Sequence, residues 1–222
     1  TFSMGVSGRY FRSNLAFTGT NSTLQPINSF AVDVSGYYQS YEKNYGNFDG
    51  RYRIGFNIAN VGPKVSYVPG EEDFIPTNLK FGGGFDFILD SYNTVSINTE
   101  FTKLLVPSPQ EDGSDQEKGF ISGIFSSFGD AEGGFSEELE EVTYALGAEY
   151  LYNDAFALRL GYFHESENKG NRKFFTMGAG FKTNALNVDL SYLINSSDVN
   201  NPLENSLRFS LSFDLGELYY DY

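Results

Sequence analysis

The sequence predicts an all-β fold, a transmembrane antiparallel up-and-down β-barrel, and three observations carry that expectation. Apolar and polar residues alternate over about ten segments of roughly 10–12 residues each, twice the usual strand of a globular sheet. The links between these segments are alternately short and long. Tyrosines fall near the ends of the apolar rows (Tyr10, Tyr38, Tyr52, Tyr144, Tyr152, Tyr162 and Tyr192), as an interfacial girdle requires. No run approaches the roughly 20 apolar residues of a spanning helix, and the mean hydropathy is −0.33. That excludes helical spans but not strands, which cross with half that length.

The elements follow in order. Residues 2–12 set Phe2, Met4, Val6 and Tyr10 against Ser3, Gly5, Ser7 and Arg9. Residues 30–40 set Phe30, Val32, Val34 and Tyr38 against Asp33, Ser35 and Gln39. Residues 51–60 oppose Tyr52, Ile54, Phe56 and Ile58 to Arg51, Arg53 and Asn57. Then come 79–90, with Leu79, Phe81, Phe85, Phe87 and Leu89 against Lys80 and Asp86, and 94–105, with Val95, Ile97 and Phe101 against Ser96, Asn98 and Glu100. Segments 140–152, 155–164, 172–183, 185–195 and 205–216 repeat the pattern, with Glu149, Arg159, Lys182, Asp189 and Arg208 on the polar side. In the last, Leu207, Phe209, Leu211, Phe213 and Leu215 share one face, and Arg208, Ser210, Ser212 and Asp214 the other.

Short turns close the pairs around residues 44–49, 90–93, 153–154 and 183–184, where Asn and Asp tolerate left-handed backbone. Longer links occupy 13–29, 61–77, 106–138, 165–171 and 196–204. In outer-membrane barrels the turns are periplasmic and the loops extracellular. The expected localisation is therefore the outer membrane, with the C-terminus and its tail "ELYYDY" in the periplasm.

Alternation alone does not say which face meets water. A closed barrel of about ten or more strands is too wide to be filled by one layer of Phe and Leu, so the apolar face is expected outside. The opposite face mixes Gly, Ser and Asn with charges of both signs, which suits a solvated or salt-bridged lumen. Arg9, Asp33, Arg51, Arg53, Asp86, Glu100, Glu149, Arg159, Lys182, Asp189, Arg208 and Asp214 fall there. They either neutralise one another across strands or line a transport path. A soluble sandwich or lipocalin-like barrel is the alternative fold.

Composition narrows function. There is no cysteine, which removes disulfides, zinc-thiolate sites and thiol catalysis. One histidine, His164, at a strand end beside acidic residues, reads as a rim residue. A net charge of −14 argues against nucleic acid as a partner. No cofactor, metal or catalytic residues are expected, because no nucleophile, metal cluster or acid–base pair assembles from the spacing.

The candidate binding residues lie in two long links. Segment 106–138 carries Phe120, Ile121, Ile124, Phe125 and Phe128 on one apolar face of a short helix. Such a patch on an extracellular loop must pack over the barrel mouth or dock a protein partner. Its acidic residues Glu111, Asp112, Asp115 and Glu117 lack the spacing of a calcium loop. Link 61–77 is stiffened by Pro63, Pro69 and Pro76, and offers Val68, Phe74 and Ile75 as further contact residues.

Seven stretches are familiar as a set: "GRYFRSNLA" (8–16), "FAVDVSGYYQS" (30–40), "GFNIANVGPKVSY" (55–67), "PTNLKFGGGFDFILD" (76–90), "FGDAEGGFSEELEE" (128–141), "KGNRKFFTMGAGFK" (169–182) and "NPLENSLRFSL" (201–211). In order, and over nearly the whole chain, they resemble the PorV (LptO) family of outer-membrane components of the Bacteroidetes type IX secretion system. The resemblance implies a FadL-like barrel of about fourteen strands. Residues 1–222 would then be the C-terminal part of a single outer-membrane barrel domain, preceded by an N-terminal segment and the remaining strands. It also implies a non-enzymatic shuttle. Such a protein associates with the SprA/Sov translocon barrel and binds the C-terminal signal domains of secreted cargo. It then delivers them to the PorU-containing attachment complex, in contact with outer-membrane lipid and lipopolysaccharide. The alternatives are a FadL-like transporter of hydrophobic small molecules, which needs an apolar lumen, or a diffusion porin, which needs an open one.

Overall fold

The computed structural model describes residues 1–15, 24–110, 112–199 and 201–213. Within these residues eleven strands form one sheet: β1 (Phe2–Ser13), β2 (Ile27–Gln39), β3 (Lys43–Asn44), β4 (Asp49–Val61), β5 (Asn78–Ile88), β6 (Asn93–Leu104), β7 (Val142–Tyr152), β8 (Phe156–His164), β9 (Lys173–Lys182), β10 (Leu186–Asn195) and β11 (Leu207–Phe213). They pair in the order β1-β2-β4-β5-β6-β7-β8-β9-β10-β11, with β3 off this path against β4. This is the all-β, antiparallel up-and-down arrangement expected from the alternation. Among the described residues β1 and β11 are the two ends of the sheet. Among the described residues no helix is long and apolar enough to cross a membrane.

The strand beyond the expected ten is β3. Lys43 pairs with Gly50 and Asn44 with Asp49, and the Asn44 amide donates to Asp49 Oδ1 at 2.7 Å, so the turn at 44–49 extends into a small ladder. β11 is described to Phe213; Asp214, Leu215 and the tail 217–222 lie outside the described residues, as do residues 16–23 of the first long link.

The chain divides into two compact units. The first comprises Thr1–Tyr38, Ile54–Gly82 and Phe101–Thr143. In it, β1 and β2 pair with Met4 opposite Gly36, Val6 opposite Val34 and Tyr10 opposite Phe30. Phe2, Met4, Val6, Tyr10 and Phe30 are all exposed, whereas Ser29, Ala31 and Asp33 on the other face are buried. The apolar row therefore faces out, as the width argument requires. The small apolar core of this unit is Ile27, Ala31, Val65 and Ile75, covered by Phe11 and Tyr67.

The second unit comprises Gln39–Arg53, Gly83–Glu100 and Tyr144–Tyr222. Its outward rows are likewise exposed: Leu160 opposite Met177, and Leu190 opposite Phe209. At the strand ends, Tyr144 stacks on His164 with ring centroids 4.7 Å apart, and Tyr162 packs on Phe175 at 4.8 Å. His164 is thus part of an aromatic girdle.

The polar face of this unit is held by ion pairs that cross strands. Glu149 on β7 stands opposite Arg159 on β8 and accepts its Nε hydrogen bond at 2.6 Å. Arg159 also donates to Asp189 on β10, which requires it to pass over β9. Gly178 and Gly180 leave that path open. A Cβ on Gly180 would lie 2.9 Å from Arg159 Nη1 and 2.6 Å from Asp189 Oδ1, so a larger residue there would push these two side-chain ends aside. Asp86 is 1% exposed and accepts from Arg51 Nε at 2.8 Å, Arg53 Nη2 at 2.6 Å and Ser96 Oγ at 2.7 Å.

Candidate functional site

The long link between β6 and β7 has more regular structure than the single short helix expected. It contains α1 (Ser114–Glu117), α2 (Phe120–Ser126) and α3 (Phe135–Glu140). Helices this short do not stand alone in water, so tertiary contacts must hold them. The contacts come from a lysine at the end of β6. Lys103 Nζ donates to Glu138 Oε2 at 2.8 Å and to Glu141 Oε2 at 2.7 Å, clamping the C-terminal part of the link to the sheet. Glu141 Oε1 accepts from Ser108 Oγ at 2.8 Å, and Glu138 Oε1 accepts from the Ala131 N–H at 2.9 Å.

A second set of bonds folds the front of the link. Gln110 Nε2 donates to the carbonyl of Asp130 at 2.8 Å, its backbone N–H donates to Asp115 Oδ1 at 3.1 Å, and Lys118 pairs with Asp130 at 3.5 Å. Asp115 and Ser127 are buried in this arrangement. α2 is seated on link 61–77. Gly123 lies so close to Phe74 that a Cβ there would sit 2.7 Å from its ring, and Pro107 flanks the same spot. Lys64 caps the other side of Phe74, its ammonium 4.3 Å from the ring centroid, and donates to the Gln116 carbonyl.

This seating splits the expected apolar face. Phe120 and Ile124 are half-buried, while Ile121, Phe125 (74% exposed) and Phe128 project outward at i, i+4 and i+7. The residues from link 61–77 are mostly internal. Ile75, 6% exposed, belongs to the apolar core, and Phe74 is the half-buried seat of α2; Val68 is half-buried. Ile75, named among the expected contact residues, packs in the apolar core. An apolar position after a proline-stiffened stretch reads the same in sequence whether it points in or out.

Two features escaped the sequence reading. Phe135 (79% exposed) and Leu139 form a second outward stripe on α3, hidden in sequence by the acidic run around them. Lys103 as a clasp was also missed; its signal was a lysine at the end of a strand followed by a link with ten acidic residues and one basic residue between 106 and 141.

Burial opposes ionisation of Glu138, but the hydrogen bonds from Lys103 and from the Ala131 N–H outweigh it and hold its carboxyl below the usual value. Glu165, in the link between β8 and β9, is held low chiefly by Arg172, whose Nε and Nη2 donate to it at 2.7 and 2.8 Å. A depressed carboxyl stabilises the fold above its unfolded pKa of about 4.3 and loses that contribution as pH falls through the lower folded value. Hydrogen-exchange protection of the Glu165 N–H, which donates to the Arg172 carbonyl at 3.0 Å, should therefore hold from about pH 8 to pH 5 and fall below about pH 4. Equal protection at pH 3 and pH 6 would refute the pairing.

Among the described residues no group of three or more His, Asp or Glu side chains could hold a metal ion. The site is a folded, acidic surface link carrying two exposed apolar stripes.

The family model described as type IX secretion system protein PorV matches residues 1–111, half of the chain. The chain belongs to the PorV family. The match covers β1 to β6 and the start of the long link, so α1, α2, α3 and β7 to β11 lie beyond it. A comparison with curated proteins gives no match. PorV membership makes the chain a component of type IX secretion at the outer membrane, and the exposed apolar strand faces fit that placement.

Proposed function

We propose that this chain is the shuttle and adaptor of type IX secretion that its family implies. It associates with the SprA/Sov translocon and binds the C-terminal signal domain of cargo. It hands that cargo to the PorU-containing attachment complex, with its long links extracellular and its C-terminus periplasmic. The observation that carries the docking role is the exposed stripe Ile121, Phe125 and Phe128, presented on a link that Lys103 ties to the sheet. Exposed patches of large apolar side chains on a folded loop mark interaction sites. The cross-strand pairing of Arg159 with Glu149 and Asp189, and of Asp86 with Arg51 and Arg53, supports a barrel that anchors rather than one that conducts along a charged path.

The test is replacement of Ile121, Phe125 and Phe128 together by serine. All three side chains are solvent-exposed, so β-sheet circular dichroism and heat-modifiable gel mobility should not change. Affinity purification from native outer membranes should recover at least about fivefold less translocon and cargo, a loss of about 1 kcal/mol. Undiminished recovery with an intact barrel would remove the docking role from this link.

A further inference from the structure

The two exposed stripes, Ile121–Phe125–Phe128 and Phe135–Leu139, lie on a link of one charge sign. Between 106 and 141 there are ten acidic residues, and the one basic residue, Lys118, is paired with Asp130. Three of the acidic groups are turned inward, with Lys103 paired to both Glu138 and Glu141 and with Asp115 buried. Glu117, the last residue of α1, and Glu132, between the two stripes, are exposed. Glu71, Glu72 and Asp73, on the link whose Phe74 seats α2, are exposed as well. The apolar stripes are therefore accompanied by uncompensated negative charge.

That sign decides between occupants. An amphipathic helix that lies in a membrane surface carries Lys and Arg beside its apolar face, because lipid headgroups are anionic or zwitterionic. A carboxylate-bordered stripe is repelled from such a surface, whereas complementary potentials favour a cationic protein surface and speed its encounter. We infer that the partner of α2 and α3 is a protein segment with apolar side chains at its centre and lysine or arginine at its border. This rests on the docking role proposed above and adds the chemistry of the occupant.

The test uses the intact protein in nanodiscs and two synthetic peptides that share one Leu/Phe-rich core, flanked by lysines in one and by glutamates in the other. The lysine-flanked peptide should bind about tenfold more tightly at roughly 0.05 M ionic strength, and the ratio should shrink severalfold at about 0.5 M as the charges are screened. Glu117→Lys combined with Glu132→Lys should erase or reverse the preference, while Phe125→Ser combined with Phe128→Ser should weaken both peptides. Equal binding of the two peptides, binding of neither, or a preference untouched by the charge reversal would each overturn the inference. So would tighter association of the native link with anionic than with zwitterionic vesicles. The outcomes separate from those of the docking test. Lost peptide selectivity alongside normal dependence of cargo recovery on Ile121, Phe125 and Phe128 condemns only the charge argument.

Discussion

Asp86→Ala is expected to be the most damaging single substitution in the second unit, lowering stability by about 3 kcal/mol. Asp86 is almost fully buried and is the shared anion of Arg51 and Arg53, with Ser96 as a third donor. Removing it leaves two guanidinium groups side by side, with only the longer and more exposed contact of Arg51 to Glu42, at 3.6 Å, to offset them. A broken buried pair costs about 3–5 kcal/mol because the surviving charge is stranded. Arg51 and Arg53 keep side-chain exposures of 32% and 28%, so water screens part of their repulsion and the lower end applies. Asp86→Asn should fall between wild type and alanine, since the amide can still accept one bond but supplies no charge. Ser96→Ala, which deletes one neutral donor, should cost only about 1 kcal/mol. The readout is the urea midpoint of β-sheet circular dichroism, with heat-modifiable gel mobility as the assay of folding. A midpoint for Asp86→Ala within error of wild type would show that the cluster is solvated rather than structural.

Lys103→Met should leave the sheet folded and release the long link. Lys103 and Glu138 have side-chain exposures of 10% and 9%, and Glu141 is scarcely more accessible at 14%. Without the ammonium, two carboxylates face each other in a poorly hydrated place, and the helices they secure are too short to persist alone. If the opening free energy of the link falls by about 3 kcal/mol, cleavage by a glutamate-specific protease should accelerate on the order of 100-fold. The strands should keep their circular dichroism. Adding Glu138→Gln and Glu141→Gln to Lys103→Met should recover much of the protection, because it removes the repulsion that the substitution creates. Failure of that triple variant to slow cleavage would show that the link is held by the ammonium's own hydrogen bonds to Glu138 and Glu141 and not by relief of carboxylate repulsion. The same release should weaken partner recovery, since Phe135 and Leu139 are presented by the helix that Lys103 holds.

Period-two patterning places strands well when the two faces differ in polarity, and here they differ from Phe2 to Phe213. Boundaries moved by only a few residues, as with β2, which begins at Ile27 rather than at residue 30. The helical link was harder. The stripe Phe120 to Phe128 was visible because apolar residues recur at helical spacing against a Ser/Gly background. α3 was not, because its two apolar residues sit in a run of glutamates that also reads as solvated loop. Which of the candidate residues face out was not legible at all. Ile75 and Phe125 are both apolar residues in links, yet one fills the core and the other is exposed.

By itself, then, the sequence determined the all-β class, the order of strands, the sidedness of their rows and the family, because each follows from local alternation, from the width of a barrel with that many strands, or from residue strings in order. The tertiary structure decided which charges neutralise which and which loop residues remain free to meet a partner. Arg159 finds Asp189 only because β9 offers glycine between them, and Ile124 is half-buried only because Gly123 seats α2 against Phe74. Those outcomes are set by contacts between residues far apart in the chain, and no local period carries that information.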